Sequence, residues 1–323
     1  MAKDSNHFSV KDHLKAYELA YKDHISIQWE PLVVYRQHPS SKNKVALVSG
    51  GGSGHEPLHA GFVGKGMLDA ACPGEIFTSP SPDQIVSAIE QSDAGSGVLL
   101  IVKNYQGDRM NFEIASELSD SQSAIVLVND DATQTDRDAA RGLAGVVVVE
   151  KILGAAAEKG DSLEDLTLLG EAIVSHTRTI GVAFSACSFR KEAGETESEN
   201  VEYGVGIHGE RGVSCLPKTP IDVLVRQMID QLLLSLARVP FQPILLVNSL
   251  GAATDKDLTL ATETAKAALS EKGVSVAREL VGTFATTLDT DGFSITLVDA
   301  TPEWLLLWDA PVDTPALNAE HGR

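Results

Sequence analysis

The chain has 323 residues, 43% of them hydrophobic, and its 45 acidic against 26 basic residues give a formal net charge of −19. That length suits two packed domains or one large unit, and an acidic balance without a Lys/Arg cluster argues against a nucleic-acid surface or an anionic membrane as partner. No apolar run approaches the roughly 20 residues that a bilayer span needs, and residues 1–24 are charged and lack a signal peptide's apolar core, so a cytoplasmic protein is expected.

In chain order, the first strong signal is the apolar run Val45-Ala46-Leu47-Val48, read as a buried strand over Val45–Ser49. Gly50-Gly51-Gly52-Ser53-Gly54-His55-Glu56-Pro57 follows directly. Such a segment puts bare backbone and one imidazole at a strand's carboxyl end, where open α/β sheets bind ligands. Pro57 suits the first turn of a following helix, whose unpaired N–H groups would face the same spot. A nucleotide loop of the GxxxxGK[ST] kind is out of register, because His55 falls where the second Gly belongs and no Lys follows. His55 to His59 also matches HExxH, but a helix starting at Pro57 leaves His55 before it, so the two imidazoles need not share a face and no metal site is expected. His59 and His176, placed on helices, read as packed or exposed, and His7, His13, His24, His38 and His321 as surface residues.

Thr78–Gln84 reads as a turn and a helix start, with a helix over Pro82–Glu90. Next come a strand at Val98–Lys103 and the segment Asn104-Tyr105-Gln106-Gly107-Asp108. Adjacent strand ends converge in a parallel sheet, so Lys103 and Asp108 could stand near His55 across one crevice, with Asp108 as a general base. The other reading of Asp108 is a turn and cap for a helix beginning at Arg109. Helices at Met110–Leu118 and Ile152–Glu158, and strands at Ile125–Asn129 and Val146–Glu150, complete a βαβ rhythm that predicts a mainly parallel sheet.

A helical stretch at Leu163–Thr177 leads into Gly181–Ala186, and the polar segment Arg190–Asn200 reads as an exposed loop. Beyond it Tyr203–Gly212 is strand-like, with glycines on both sides of His208. Glycine weakens a strand unless something must approach closely, which presents His208 to a ligand; the alternative is a structural imidazole with satisfied partners. A second α/β pattern follows: helices at Ile221–Leu236 and Asp255–Ser270, strands at Ile244–Asn248, Val274–Val281 and Ser294–Asp299. The expected fold is therefore α/β, with two α/β domains, each a mostly parallel or mixed sheet flanked by helices. Residues 1–185 would carry the glycine loop and residues 186–323 the histidine of GIHGE. The tail from Pro315 reads as frayed. Cys72, Cys187 and Cys215 lie far apart, form no CxxC, and read as buried thiols of a reducing compartment.

Four blocks taken together, residues 49–85, 98–115, 141–160 and 203–213, resemble the substrate-binding K subunit of dihydroxyacetone kinases. Weaker agreement runs through 247–252 and 291–315. The resemblance implies that His208 adds to the ketone carbon of dihydroxyacetone as a covalent hemiaminal, that Asp108 takes the proton of the attacking hydroxyl, and that His55 hydrogen-bonds the substrate. It places Gly52, Ser53, Gly54 and Lys103 in the same pocket. It further implies a homodimer and a separate nucleotide-carrying L subunit. ATP or ADP with Mg would sit on that partner, which would be either exchanged with nucleotide or rephosphorylated by a phosphotransferase-system protein, and no cofactor on this chain. Two rival readings accompany it: a dihydroxyacetone-sensing transcriptional co-activator, and a kinase subunit for a larger ketose such as erythrulose. The loop Asn248–Ala253 departs from the family's usual Asn-Asn-Leu-Gly-Gly-Thr type, which puts substrate-rim or partner contacts there in doubt.

Overall fold

A computed structural model describes residues 9–39, 43–185, 200–239 and 242–319. The residues 190–199 of the expected polar loop, Cys187, His7 and His321 lie outside the described residues. Two six-stranded sheets organise the chain, confirming the α/β class. Helix α1 (Val10–Ala20) and the hairpin β1 (Ile25–Trp29) and β2 (Leu32–Arg36) lead into β3 (Ala46–Ser53), the short 3-10 turn Ala60–Phe62, and β4 (Ala70–Ile76). Then come α2 (Pro82–Ser92), β5 (Val98–Lys103), α3 (Gln106–Leu118) and β6 (Ser123–Val128). The first sheet runs β1-β2-β4-β3-β5-β6, and its β4-β3-β5-β6 portion is parallel. Because β4 and β5 flank β3 on opposite sides, the carboxyl end of β3 is a switch point of the sheet, where connections diverge and leave a crevice.

Helices α4 (Gly145–Lys159) and α5 (Leu163–Ser175) follow, then β7 (Thr177–Ala183), β8 (Asn200–Tyr203), β9 (Ser214–Pro217), α6 (Ile221–Ser235), β10 (Ile244–Ser249), α7 (Asp255–Glu271), β11 (Arg278–Gly282) and β12 (Gly292–Val298). Helix α8 (Pro302–Trp308) and the small pair β13 (Val312–Asp313) and β14 (Asn318–Ala319) end the described chain. The second sheet, β11-β10-β12-β7-β8-β9, is mixed and mostly antiparallel.

Several sequence expectations are corrected. Val146–Glu150, expected as a strand, is the first half of α4, whose residues Gly145–Ala157 are all buried. A helix wrapped by protein on every side carries no polar stripe, so its sequence loses the 3.6-residue period that would reveal it. Helix α4 contacts β3 and β5 of the first sheet and β7 of the second, and α8 packs on it as well. One apolar cluster accordingly joins Leu47 and Val147 to Ile244, Leu246, Trp304 and Trp308. Strand β7, assigned by the 185/186 boundary to the first half, pairs with β12 and β8 of the second sheet. Ala316 at the supposedly frayed end donates its N–H to Gly61 O at 2.8 Å, and Cys215, expected to be buried, is exposed. Among the described residues no helix is long and apolar enough to cross a membrane.

Candidate active site

Strand β3 does not stop at Ser49; it continues through Gly50–Gly52 to Ser53, with its register against β4 shifting between Gly51 and Ser53. Glycine permits this, because a Cβ on Gly52 would lie 2.6 Å from the backbone nitrogen of Thr78. No helix starts at Pro57, which sits in a turn before the 3-10 turn, so the loop gains no helix N-terminus. Gly54, at φ 101, donates its N–H to the Glu56 carboxylate at 3.1 Å instead. Ser53 Oγ donates to Gly74 O at 2.6 Å, locking the loop onto the end of β4.

The second half of the chain closes over this loop. Leu288 N donates to Gly54 O at 2.8 Å, and Thr286 N to His55 O at 3.2 Å. In return His55 Nδ1 donates to Thr286 O at 2.8 Å. A carbonyl only accepts, so this bond fixes the Nδ1–H tautomer and leaves the lone pair on Nε2. Among the described residues, that buried Nε2 has no hydrogen-bond partner. Burial first, then coulombic repulsion from the neighbouring His208 and Lys103 positions, hold the His55 pKa well below the usual range, so the ring stays neutral.

Asn248, at the end of β10, aims its side chain at the segment that carries Thr286. Its Oδ1 accepts from Phe284 N at 2.8 Å and Ala285 N at 2.9 Å, while Nδ2 donates to Ala285 O at 2.8 Å. Asn248→Ala strands two buried N–H groups, each costing about 1–3 kcal/mol when left unpaired. Urea unfolding is expected to show a loss of about 2–6 kcal/mol for the two groups together, accompanied by weaker ligand binding at His55.

His208 lies in the loop after β8 and not in a strand, as the glycines around it had suggested. Its ring is half-buried and sits edge-on to His55 at 4.6 Å between centroids and to Tyr105 at 4.2 Å. Phe77, held at φ 52, packs on both imidazoles at 5.3 and 5.8 Å. Glu210 fixes the loop by accepting from His208 N at 2.8 Å and pairing with Arg141 at 3.1 Å. Arg141 also binds Asp131 at 2.7 Å and donates to Gly204 O at 2.9 Å, so a cation from the first half clamps the His208 loop.

Lys103 is the last residue of β5 and fully buried; its Nζ donates to Gly50 O at 3.1 Å and lies 2.7 Å from His59 Nε2. Burial lowers the Lys103 pKa, against the pull of Asp108 and Glu150, which raise it. Asp108 occupies the first turn of α3, which begins at Gln106 and not at Arg109. Its carboxylate accepts from Ser79 Oγ, and its Oδ2 would lie 3.6 Å from a Cβ on Gly51. Burial raises the Asp108 pKa, while Lys103 and the Ser79 hydroxyl pull it down. A carboxylate that is buried yet kept partly charged by one lysine is suited to accept a proton.

The structure thus brings the glycine loop, His55, Lys103, Asp108 and His208 close together where the two halves of the chain meet. The sequence reading missed His59, Glu150, Thr286, Tyr105 and the Arg141–Glu210 clamp. Glu150 had a usable signal: a carboxylate inside Val146-Val147-Val148-Val149-Glu150-Lys151-Ile152-Leu153 is costly unless partnered. The two histidines of the HExxH match hold separate partners, Thr286 for His55 and Glu150 and Lys103 for His59.

Comparison with known proteins identifies the family. A 328-residue alignment gives 41% identity to the dihydroxyacetone-binding subunit DhaK of the PEP-dependent dihydroxyacetone kinase of Escherichia coli K12, covering 91% of this chain and 92% of that protein. The corresponding subunit of a PTS-dependent kinase from Listeria innocua is 42% identical, over 88% of this chain and 89% of its own. Among solved structures, a dihydroxyacetone kinase operon co-activator superposes with a TM-score of 0.90 at 30% identity, covering 97% of this chain and 99% of that one. The Dak1 domain model matches residues 15–316, and the chain belongs to the Dak1 family of dihydroxyacetone-binding kinase subunits.

Proposed function

We propose that this chain captures dihydroxyacetone covalently on His208 and presents its terminal hydroxyl to a phosphoryl donor carried by a separate L subunit. The observation that supports this reading most directly is the packing of His208 against His55, whose buried Nε2 has no partner among the described residues, with the Asp108 carboxylate buried against the same glycine loop. In the capture step a ring nitrogen of His208 forms a bond to the ketone carbon and the carbonyl π pair moves to oxygen. That oxygen takes a proton and the imidazole loses its N–H proton, so the product is a neutral hemiaminal. His55, neutral and with one free lone pair, can carry that proton or accept from a substrate hydroxyl. Glycerol has no electrophilic carbon, so selection rests on bond formation rather than on pocket shape.

For transfer, Asp108 takes the proton of the hydroxyl that attacks phosphorus, and the glycine loop and Lys103 fix the substrate in line. Positioning of this kind supplies roughly 7–11 kcal/mol in well-oriented cases. ATP or ADP with Mg belongs to the L subunit in this reading, recharged by nucleotide exchange or by a phosphotransferase-system protein, and the K chains pair as a homodimer in the cytoplasm. Purified chain, an L subunit and a phosphoryl donor are expected to yield dihydroxyacetone phosphate. No product with any L subunit, while the adduct still forms, would favour the second reading, a dihydroxyacetone-sensing co-activator, which the close superposition on a co-activator supports.

A further inference from the structure

Beside Asp108 runs a chain of buried polar groups, of which only Lys103 has a part in the reaction described above. Lys103 Nζ is 2.7 Å from His59 Nε2, and His59 Nδ1 is 2.6 Å from Glu150 Oε1 and 3.1 Å from Ser49 Oγ. Ser49 spends its own proton on Ile101 O at 2.7 Å, so it can only accept from His59. His59, Lys103 and Glu150 are all buried, and Glu150 Oε2 has no partner among the described residues. An imidazole bridging an amine and a carboxyl admits two arrangements of the same protons. In one, an ammonium donates to Nε2 and Nδ1–H donates to a carboxylate. In the other, a carboxylic acid donates to Nδ1 and Nε2–H donates to a neutral amine.

We propose that Lys103, His59 and Glu150 form a proton relay that lets Lys103 change charge in step with Asp108, and that His59 and Glu150 are positioning residues for the base. The inference rests on the kinase reading above. While Asp108 is a carboxylate, the Lys103 ammonium is its counterion. When the O–H bond of the substrate breaks and its proton arrives on Asp108, Lys103 loses that counterion. One proton then passes from Lys103 Nζ to His59 Nε2 as the Nδ1 proton passes to Glu150, and every group ends neutral. No atom is gained or lost beyond the substrate's proton. Burial favours this end state, since it disfavours both the ammonium of Lys103 and the carboxylate of Glu150.

The surroundings contain the groups that could compete. Lys103 is faced by Asp108 from α3, by Glu150 from α4, and by His59 and His55 from the loop after β3. Asp108 is faced by Lys103 and Ser79, and Tyr105 senses its charge.

In Glu150→Gln the end of the relay cannot take a proton. In His59→Gln both hydrogen bonds can persist, but no proton can cross. Protonated Asp108 would then leave a buried ammonium beside it in either variant, which makes Asp108 a weaker base. Both variants are expected to move the acid limb of the kcat pH profile down by about one unit and to lower the plateau about tenfold. If His59→Gln keeps the wild-type profile while Glu150→Gln shifts it, Glu150 acts only as a fixed charge and the relay is wrong. A uniform loss without a shift in either variant equally refutes it. Carbon-13 NMR of the wild-type protein needs no variant: the Asp108 and Glu150 carboxyl signals are expected to titrate over one shared pH interval, and separate intervals overturn the relay. Formation of dihydroxyacetone phosphate by the wild type with an L subunit and a phosphoryl donor, measured on the same samples, separates a failed relay from a failed kinase reading.

Discussion

Asp108→Asn is expected to slow phosphoryl transfer by about 10²–10⁴-fold, the usual contribution of a positioned base, while the adduct on His208 still forms. Asparagine keeps the shape of the side chain and a partner for Ser79 Oγ, so the change removes the proton acceptor and little else. Transient kinetics with a charged L subunit would read the transfer rate, and mass spectrometry the adduct. A variant that turned over within threefold of wild type would remove Asp108 from the reaction. The pH dependence has a definite sign. Burial holds the Asp108 pKa above its ordinary value, and the base form is the carboxylate. Activity should therefore be full above that raised pKa and fall as pH drops through it, at higher pH than for an exposed aspartate.

His208→Ala is expected to weaken dihydroxyacetone binding roughly 100-fold or more, a change of about 2.8 kcal/mol, since each tenfold is about 1.4 kcal/mol. The carbon–nitrogen bond disappears, and the edge-on contacts with His55 and Tyr105 disappear with it. The selectivity consequence is sharper than the affinity loss. Wild type should discriminate strongly against glycerol, whereas His208→Ala should bind both weakly and alike, because only the ketone can use the missing nucleophile. Calorimetry with the two ligands would show this. Preserved discrimination in the variant would mean that the pocket's shape sets selectivity.

The parts of the site that were legible in the sequence are those built by local rules. An apolar run ending in Gly50–Gly52 reads as a strand entering a crevice, and Lys103 and Asp108 follow the same strand-end logic. Helix α2 was legible because a turn followed by an acid in the first turn, Asp83, marks a helix start; the structure adds a capping box between Ser81 and Gln84. The first half of helix α4 was hidden because its burial between the sheets removes the polar face, whereas Ile152–Glu158 was read correctly as helix. The β7 assignment failed because strand partnership is long-range: nothing near Thr177–Ala183 announces β12 as its neighbour. Thr286 was invisible for a related reason, since its carbonyl serves His55 across 231 positions of sequence and any residue type supplies a carbonyl. The joining of the halves at Thr286, Leu288 and Arg141 is what brings separate motifs together.

Covalent capture at His208 is tested most directly by growing crystals in dihydroxyacetone. Continuous electron density between an imidazole nitrogen of His208 and the ligand's central carbon, with that carbon tetrahedral, is the expected result. A planar, unattached ketone in the crevice, or an empty crevice beside an unmodified His208 at saturating ligand, would contradict it.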